Sequence, residues 1–554
     1  VVRISLASVA ARLLLNRLRT TRAVARFAWR VHRRHTALID RRGTWTYDQL
    51  HQRVMRLSGW LQDQGLPERA VVFTWLPETG ELYEVRLATF ETGHVFAPCH
   101  SHLPPEFVLE LIERVQPAVL VHDPALSATL LRQAQTRWPT MRMLALGGDY
   151  ERALATSRPR SGVARVHEDD IFALHMTSGT TGAPKAVGFT HRKYLDSMRM
   201  VARAVDFRRP PGGRDVNMLG LPITGPGSGL VLPTLLSGAT LVMPETFEAS
   251  TLARLVARHR VTRAFLSPSA IIDLLDLDNL EQHDLSSLTF IAYGAEMMPA
   301  AKIAEAIRRI GPIFQQGYGS LEALPPISWL LPAEHIDALG APLGRNVLGS
   351  VGRPAPGVEV VVRDEDFRPL PHGRTGLITV RSLSCFDGYW NDALKTANTL
   401  RDGWVVIGDH GQFDADGRLH VLGREADRVR RGDHWIHPRD VEEIAHEHAA
   451  IKEACLVQQG TRAVLAVSLR RAAPASTATA AQAQHAQSTE DILAHVQRHL
   501  PAHLWPDEVT IVPAIPRSFL NKVLRREVRA MLDAQSAQRV VVPARPAITS
   551  AQAA

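Results

Sequence analysis

The sequence predicts an α/β protein: a large N-terminal domain of helix-covered β-sheets with a β-barrel-like subdomain, followed by a small C-terminal domain. Three observations carry this expectation. At 554 residues the chain is too long for one ordinary hydrophobic core. Between residues 46 and 146, amphipathic helical patterns alternate with short apolar runs, the texture of parallel sheets covered by helices. From about residue 349 the runs become short, β-rich and broken by Gly, Asp and Pro, which fits an antiparallel or barrel-like subdomain.

The elements follow in chain order. Thr46-Tyr47-Asp48-Gln49 has the pattern of a capping box, in which Thr46 and Gln49 satisfy each other's free backbone donors. Leu50, Val54, Leu57 and Leu61 continue at helical spacing, and Gly65 ends the run. Residues 70–76 read as a buried strand, 82–88 as a helix, 94–97 as a strand and 107–115 as a helix, with short apolar runs at 117–121 and 143–146. Residues 358–362, 377–380 and 419–422 are the β-rich runs. Residues 472–488 are dominated by Ala, Gln, Thr and Ser without a periodic apolar face and read as a flexible insertion in the smaller domain.

Composition narrows the function. Hydrophobic residues at 45% and charged residues at 22% exclude a wholly disordered or fibrous chain. No apolar stretch reaches the roughly 18–20 residues of a membrane helix. Cys99, Cys385 and Cys455 lack paired spacing, which argues against a disulfide framework or a cysteine-ligated zinc and fits a reducing, cytoplasmic setting. The net charge of +8 is carried by nine arginines within residues 1–35, which hold no acid; the remainder sums to −1, so a nucleic-acid partner is not expected.

Arg12, Arg19, Arg22, Arg26, Arg30 and Arg33 would share one side of a helix, with apolar residues elsewhere around it. Three readings fit: a leading helix folded on the main domain, a peripheral contact with an anionic membrane surface through residues 1–35, or an organelle-targeting sequence.

The chemistry begins at Thr177-Ser178-Gly179-Thr180-Thr181-Gly182-Ala183-Pro184-Lys185, which follows the apolar run 171–176. The glycines allow a tight turn that brings N–H groups to anionic oxygens, the hydroxyls add short donors, and Lys185 adds a full charge. Together they suit a polyphosphate. The spacing is not that of the common Gly-x-x-x-x-Gly-Lys loop.

Residues 177–185, continuing to Thr190-His191, resemble the phosphate-binding signature of the adenylate-forming superfamily of acyl-CoA synthetases, nonribosomal peptide adenylation domains and luciferases. The resemblance runs from about residue 37 to 535, is closest to fatty or aryl acyl-CoA synthetases, and includes further motifs in the family's order. Tyr293-Gly294-Ala295-Glu296 matches the segment bordering adenine and the acyl pocket. In Gln316-Gly317-Tyr318-Gly319-Ser320-Leu321-Glu322, the resemblance makes Tyr318 the adenine-stacking ring and Glu322 the ligand of magnesium carried by ATP. Gly408-Asp409 matches the segment whose aspartate grips the ribose hydroxyls, and Gly423-Arg424 matches the start of a hinge, with Arg424 near ribose and phosphate. Pro516-Arg517-Ser518 followed by Asn521-Lys522 resembles the family's C-terminal segment and makes Lys522 the catalytic lysine. Leu321, Ile407 and Ala426 depart from the residues the family usually carries there.

The resemblance implies ATP, magnesium and CoA: a carboxylate attacks the α-phosphorus, pyrophosphate leaves, and a thiol then displaces AMP from the acyl-adenylate. It implies a mobile α+β C-terminal domain that rotates between the two half-reactions. The organisation is then a basic amphipathic segment 1–36, an adenylate-forming domain 37–423, the mobile domain 424–535 with its insertion 472–488, and a tail 536–554. Residues 221–229 carry three glycines and no ring where relatives often place an aromatic or His gate, which points to a wide acyl channel. Alternatives are an acyl-AMP ligase that loads a separate carrier protein, and a catalytically impaired nucleotide-binding regulator.

Overall fold

A computed structural model describes residues 13–126, 128–162, 164–177, 185–204, 214–470, 478–518 and 522–540. The chain divides into two compact units, the larger running to Val421 and the smaller beginning at Leu422.

The larger unit holds two helix-covered sheets and one antiparallel sheet. The first is six-stranded, in the order Arg142–Ala145, Val119–His122, Val71–Leu76, Val95–His100, Ile171–Thr177 and Lys185–Thr190. Every neighbouring pair in it is parallel except the last. The second is nine-stranded, with a parallel centre running from Phe314–Tyr318 through Phe290–Gly294, Arg263–Leu266, Val216–Gly220 and Thr240–Val242 to Thr36–Asp40. Strands Val71–Leu76 and Val95–His100 are buried along their whole length, as strands covered on both faces must be. The antiparallel sheet contains Glu359–Arg363, Gly376–Arg381 and Trp404–Phe413, in the region where the β-rich texture predicts it.

Helix Tyr47–Asp63 shows how local sequence builds these layers. Gln49 N–H donates to the Thr46 hydroxyl at 3.2 Å, and Thr46 N–H donates to Gln49 Oε1 at 2.8 Å, closing the expected capping box. Such a cap contributes about 1 kcal/mol. Leu50, Val54, Leu57 and Leu61 are the buried stripe.

Helix Gly80–Thr92 is buried all round although it carries four charged side chains. Its carboxylates are matched: Arg42 and Arg53 reach Glu84 at 3.0 and 2.9 Å, and Arg26 reaches Glu91 at 3.1 Å. Arg86 is matched differently, as described below.

Two expectations need correction. Residues 18–20 interrupt the leading basic helix, and Thr20 caps a new one, Thr21–Val31. Of the predicted stripe Arg22 is buried and donates to Phe90 O and Ala164 O, and Arg26 is half-buried against Glu91; Arg19, Arg30 and Arg33 are exposed, with Arg19 and Arg33 beside Glu168 and Asp48. Arg22 is therefore engaged by the fold rather than turned outward. Residues 1–12 lie outside the described residues. No helix among the described residues is long and apolar enough to cross a membrane.

The smaller unit is α+β. Strands Ile451–Gln459 and Arg462–Leu469 are antiparallel, and Glu508–Ile511 joins in parallel. Alternate side chains of the first strand feed two clusters, Ala454 and Leu456 into one, Cys455 and Val457 into the other, as the two-residue period of a strand requires. The second correction lies here. Residues 478–488, expected as a flexible insertion, begin the helix Ala478–His499. Alanine is the strongest helix former, so propensity suffices where no apolar stripe exists. Residues 472–477 of that expectation lie outside the described residues.

Candidate active site

The site is set by register. Leu266 pairs with both Gly220 and Tyr293, and Gly294 pairs with Gly317, so these strands end level. Residues 221–229, 267–269, 295–296 and 319–322 therefore leave the same, C-terminal end of one parallel sheet, where open α/β sheets place their ligands. Gly294 is required there, because a Cβ would sit 2.2 Å from Gly317 O. Ala295 follows with φ 73°, turning the chain sharply at the strand end.

Each predicted residue of the larger unit can now be located. The Tyr318 hydroxyl donates to Asp409 Oδ2 at 2.7 Å, joining two residues 91 positions apart that the sequence assigns to adenine and ribose. Gly319 packs against Pro325, leaving no room for a Cβ. The Glu296 carboxylate accepts from Ser269 N–H at 2.9 Å and from the Ser269 hydroxyl, which ties it to the start of helix Pro268–Leu275. Thr177 ends one strand and Lys185 begins the next, with Thr177 paired to Lys185 across the antiparallel ladder. Ser178, Gly179, Thr180, Thr181 and Gly182 lie outside the described residues.

One residue missed in the sequence links this group. The Tyr389 hydroxyl donates to Glu322 Oε1 at 2.7 Å, and the Lys185 ammonium lies 5.0 Å from the centre of the Tyr389 ring. The chain around Tyr389 is clipped in place: Trp390 N–H donates to Ala186 O at 2.8 Å, Tyr389 bridges Val187, and Phe386 N–H donates to Glu322 O at 2.8 Å. Tyr389 thus spans the lysine of the phosphate loop and the carboxylate expected to meet magnesium. The signal for it, Gly388-Tyr389-Trp390, reads in sequence as an ordinary turn.

Glu322 is a single carboxylate, and among the described residues no group of three His, Cys, Asp or Glu forms a metal site. One of its oxygens is engaged by Tyr389 and the other is left for a cation. This donor set fits a dication brought in on phosphate oxygens rather than a resident metal.

The departures from the family pattern have a packing explanation at two positions. Leu321 and Ile407 both pack against the main core cluster of the larger unit. Ala426 lies in the short turn Glu425–Asp427, which follows Arg424 in the smaller unit. Residues 221–229 are not a slack loop: Gly225 and Gly227 N–H groups both donate to Pro222 O at 3.0 Å, and a Cβ on Gly227 would lie 2.1 Å from Leu221 O. Gly227 is there for the tight turn, whereas Gly229 faces open space.

In the smaller unit, Lys522 sits at the closing end of a backbone hairpin. Ser518 N–H donates to Lys522 O at 2.8 Å, Lys522 N–H donates to the Ser518 hydroxyl at 3.2 Å, and Leu524 N–H donates to Pro516 O at 2.9 Å. An ion pair braces each flank, Arg517 with Glu453 and Arg525 with Glu442, the latter reaching both carboxylate oxygens. Burial alone would lower the Arg525 guanidinium, but Glu442 holds it above its ordinary value. These contacts brace the described backbone on both sides, at residues 516–518 and 522–525.

Comparison with known proteins agrees with this geometry. The profile of the AMP-binding enzyme family matches residues 25–390, and that of the AMP-binding enzyme C-terminal domain matches residues 440–522. The chain belongs to the AMP-binding, adenylate-forming enzyme family. It is 32% identical over 366 residues to the medium/long-chain-fatty-acid–CoA ligase FadD8 of Mycobacterium tuberculosis, a match covering 65% of this chain and 61% of that relative. It is 28% identical over 499 residues to a feruloyl-CoA synthase of Amycolatopsis, covering 89% and 96%. The fold matches the crystal structure of the anthranilate CoA ligase AuaEII with anthranoyl-AMP at a TM-score of 0.82, with 21% identity over 94% of this chain and 98% of that one.

Proposed function

We propose that the protein activates a carboxylic acid with ATP and transfers the acyl group to a thiol, CoA first. The observation that carries this reading is the Lys185–Tyr389–Glu322 chain at the sheet end, beside the Tyr318–Asp409 pair. A cation, a carboxylate with one oxygen to spare, and an aromatic–carboxylate pair are the groups needed by polyphosphate, its metal and a nucleoside.

A free carboxylate does not acylate a thiol, because its oxide is a poor leaving group. In the proposed first step the acid's oxygen bonds to the α-phosphorus of ATP while the bond to the bridging oxygen breaks, releasing pyrophosphate. Negative charge grows on the phosphate oxygens, and Lys185 and Lys522 are the cations assigned to offset it. Magnesium, when bound with ATP, would neutralise phosphate charge, and Glu322 would hold it. In the second step a thiol loses its proton, its sulfur bonds to the acyl carbon, and AMP departs. Arg424 is assigned to ribose and phosphate, and the turn Glu425–Asp427 to the hinge of the rotation between steps. The relatives named for medium/long-chain fatty acids and for ferulate support a fatty or aryl acid as substrate.

The test is acid-dependent exchange of labelled pyrophosphate into ATP across fatty, aryl and amino acids. Exchange with a fatty or aryl acid is expected, and exchange with none of them would overturn the reading. Adding CoA or a phosphopantetheine-bearing carrier protein then identifies the acceptor. Lys522→Ala is expected to lower exchange by at least about 100-fold with an unchanged thermal midpoint. Undiminished exchange would remove Lys522 from the chemistry.

A further inference from the structure

Helix Gly80–Thr92 carries one cation that the ion pairs around it do not explain. Arg86 is fully buried, at 0% exposure, and its guanidinium nitrogens have no well-formed hydrogen bond. It lies over the rings of Phe90 and Phe96, 5.8 and 5.7 Å from their centres. Beside it are the Tyr194 hydroxyl, which donates to Ser228 O at 2.8 Å, and the ring of His175. His175 is 1% exposed and stacks on Phe189 at 4.9 Å. A buried cation in such surroundings needs a counter-charge.

Glu78 supplies it. The residue sits just beyond the C-terminal end of strand Val71–Leu76. Both its oxygens are engaged: Ile223 N–H donates to Oε2 at 2.7 Å, and the Thr224 hydroxyl and N–H donate to Oε1 at 2.9 and 3.4 Å. Ile223 and Thr224 begin the segment that leaves strand Val216–Gly220. Glu78 therefore joins the ligand-bearing ends of the two parallel sheets. Behind it, His175 lies two residues before Thr177, where the phosphate loop starts.

We propose that Glu78 is a positioning residue for the acid substrate: by clasping Ile223 and Thr224 it holds residues 221–229 as one wall of the acid-binding cleft. This rests on the proposed acid activation at the same sheet end. Segment 221–229 brings no charge of its own to that wall. Its hold comes from Glu78 at residues 223–224 and from Tyr194 at Ser228, two anchors that flank Gly225–Gly227. Releasing the first anchor frees the wall without touching the nucleotide side, so the effect belongs to acid affinity.

Two variants test this in the full-length protein. Glu78→Ala removes every acceptor, whereas Glu78→Gln keeps an oxygen for Ile223 N–H and can hydrogen-bond the Thr224 hydroxyl. For Glu78→Ala, amide hydrogen exchange at Ile223 and Thr224 is expected to accelerate at least about 10-fold. The KM for the best acid in the exchange assay should rise about 10-fold while the KM for ATP stays within about twofold, and Glu78→Gln should recover most of both effects. Unchanged amide exchange in folded Glu78→Ala would overturn the clasp. Equal changes in the KM for acid and ATP would overturn its assignment to the acid wall. If Glu78→Ala does not fold, Glu78→Gln with a wild-type acid KM supports the clasp, and with an ATP-side defect alone overturns it. If the wild-type protein activates no acid, the functional reading fails, while the amide-exchange measurement still decides whether Glu78 holds the segment.

Discussion

The wall assigned to the nucleotide and the Glu78 clasp occupy the same end of the larger unit but are built from opposite materials. At the wall, the Tyr318 hydroxyl donates to Asp409 and the Tyr389 hydroxyl donates to Glu322, two neutral-donor bonds to carboxylates. At the clasp, the charges are matched inward, with Arg86 and His175 sealed from water and Glu78 spending both oxygens on backbone and hydroxyl donors. The wall is held by part-buried bonds from neutral hydroxyls. A surface built to stay still buries its charges and compensates them. The difference teaches that burial of charge near a site need not mark chemistry; here it marks the scaffold that shapes the cleft.

Three measurements can break or sharpen this contrast. The largest effect is expected for Asp409→Ala, which removes the acceptor of Tyr318 and the group assigned to ribose: the KM for ATP should rise roughly 100-fold, as for the loss of two charge-assisted hydrogen bonds, with the KM for acid nearly unchanged. A rise in the acid KM alone would erase the division between the two regions. Next comes Tyr389→Phe, which keeps the ring beneath Lys185 and deletes the bond to Glu322. The magnesium concentration giving half-maximal exchange should increase about 10-fold, and calorimetric binding of ATP with magnesium should weaken in parallel. Wild-type binding in both assays would show that Tyr389 does not position Glu322.

The smallest effect is on stability against pH. Burial pushes the Glu78 carboxyl up to about 7, against the lowering pull of the Ile223 and Thr224 donors and of Arg86. Arg86 faces it from the following helix, with Tyr83 on that helix, His175 from strand Ile171–Thr177 and Tyr194 from helix His191–Ala204 standing around the arginine. A raised carboxyl favours the folded state while protonated in it. The wild-type protein should therefore lose stability relative to Glu78→Gln as pH rises from about 4.5 to about 7. His175, lowered by burial to about 3, acts in the opposite sense, costing stability as pH falls below its unfolded value of 6.5. Both proteins carry that cost, so the difference between their urea midpoints isolates Glu78. A difference that does not change with pH would show that Glu78 is not desolvated.

Much of the large unit was legible before any coordinates. The Thr46–Gln49 capping box and the Leu50–Leu61 stripe rest on interactions three or four residues apart, which a linear pattern displays directly. The motifs holding Gly294, Tyr318, Glu322 and Asp409 pointed to a nucleotide site through their resemblance to the adenylate-forming family's segments, in that family's order. Other features were hidden for physical reasons. Arg22 was expected on an outward basic face and is buried, because Phe90 and Ala164 offer it carbonyls that only the fold supplies. Residues 478–488 were read as flexible because helix propensity without an apolar stripe leaves no periodic trace.

By itself, then, the sequence determined the layered α/β architecture, the order of its elements and the kinds of side chain its family motifs carry, since periodicity, capping and motif spacing are written locally. Only the tertiary structure decided that Tyr389 meets Glu322, that Tyr318 meets Asp409 and that Glu78 grips Ile223 across 145 positions. Such partners are chosen by strand register and the convergence of sheet ends, and distance along the chain carries no record of either.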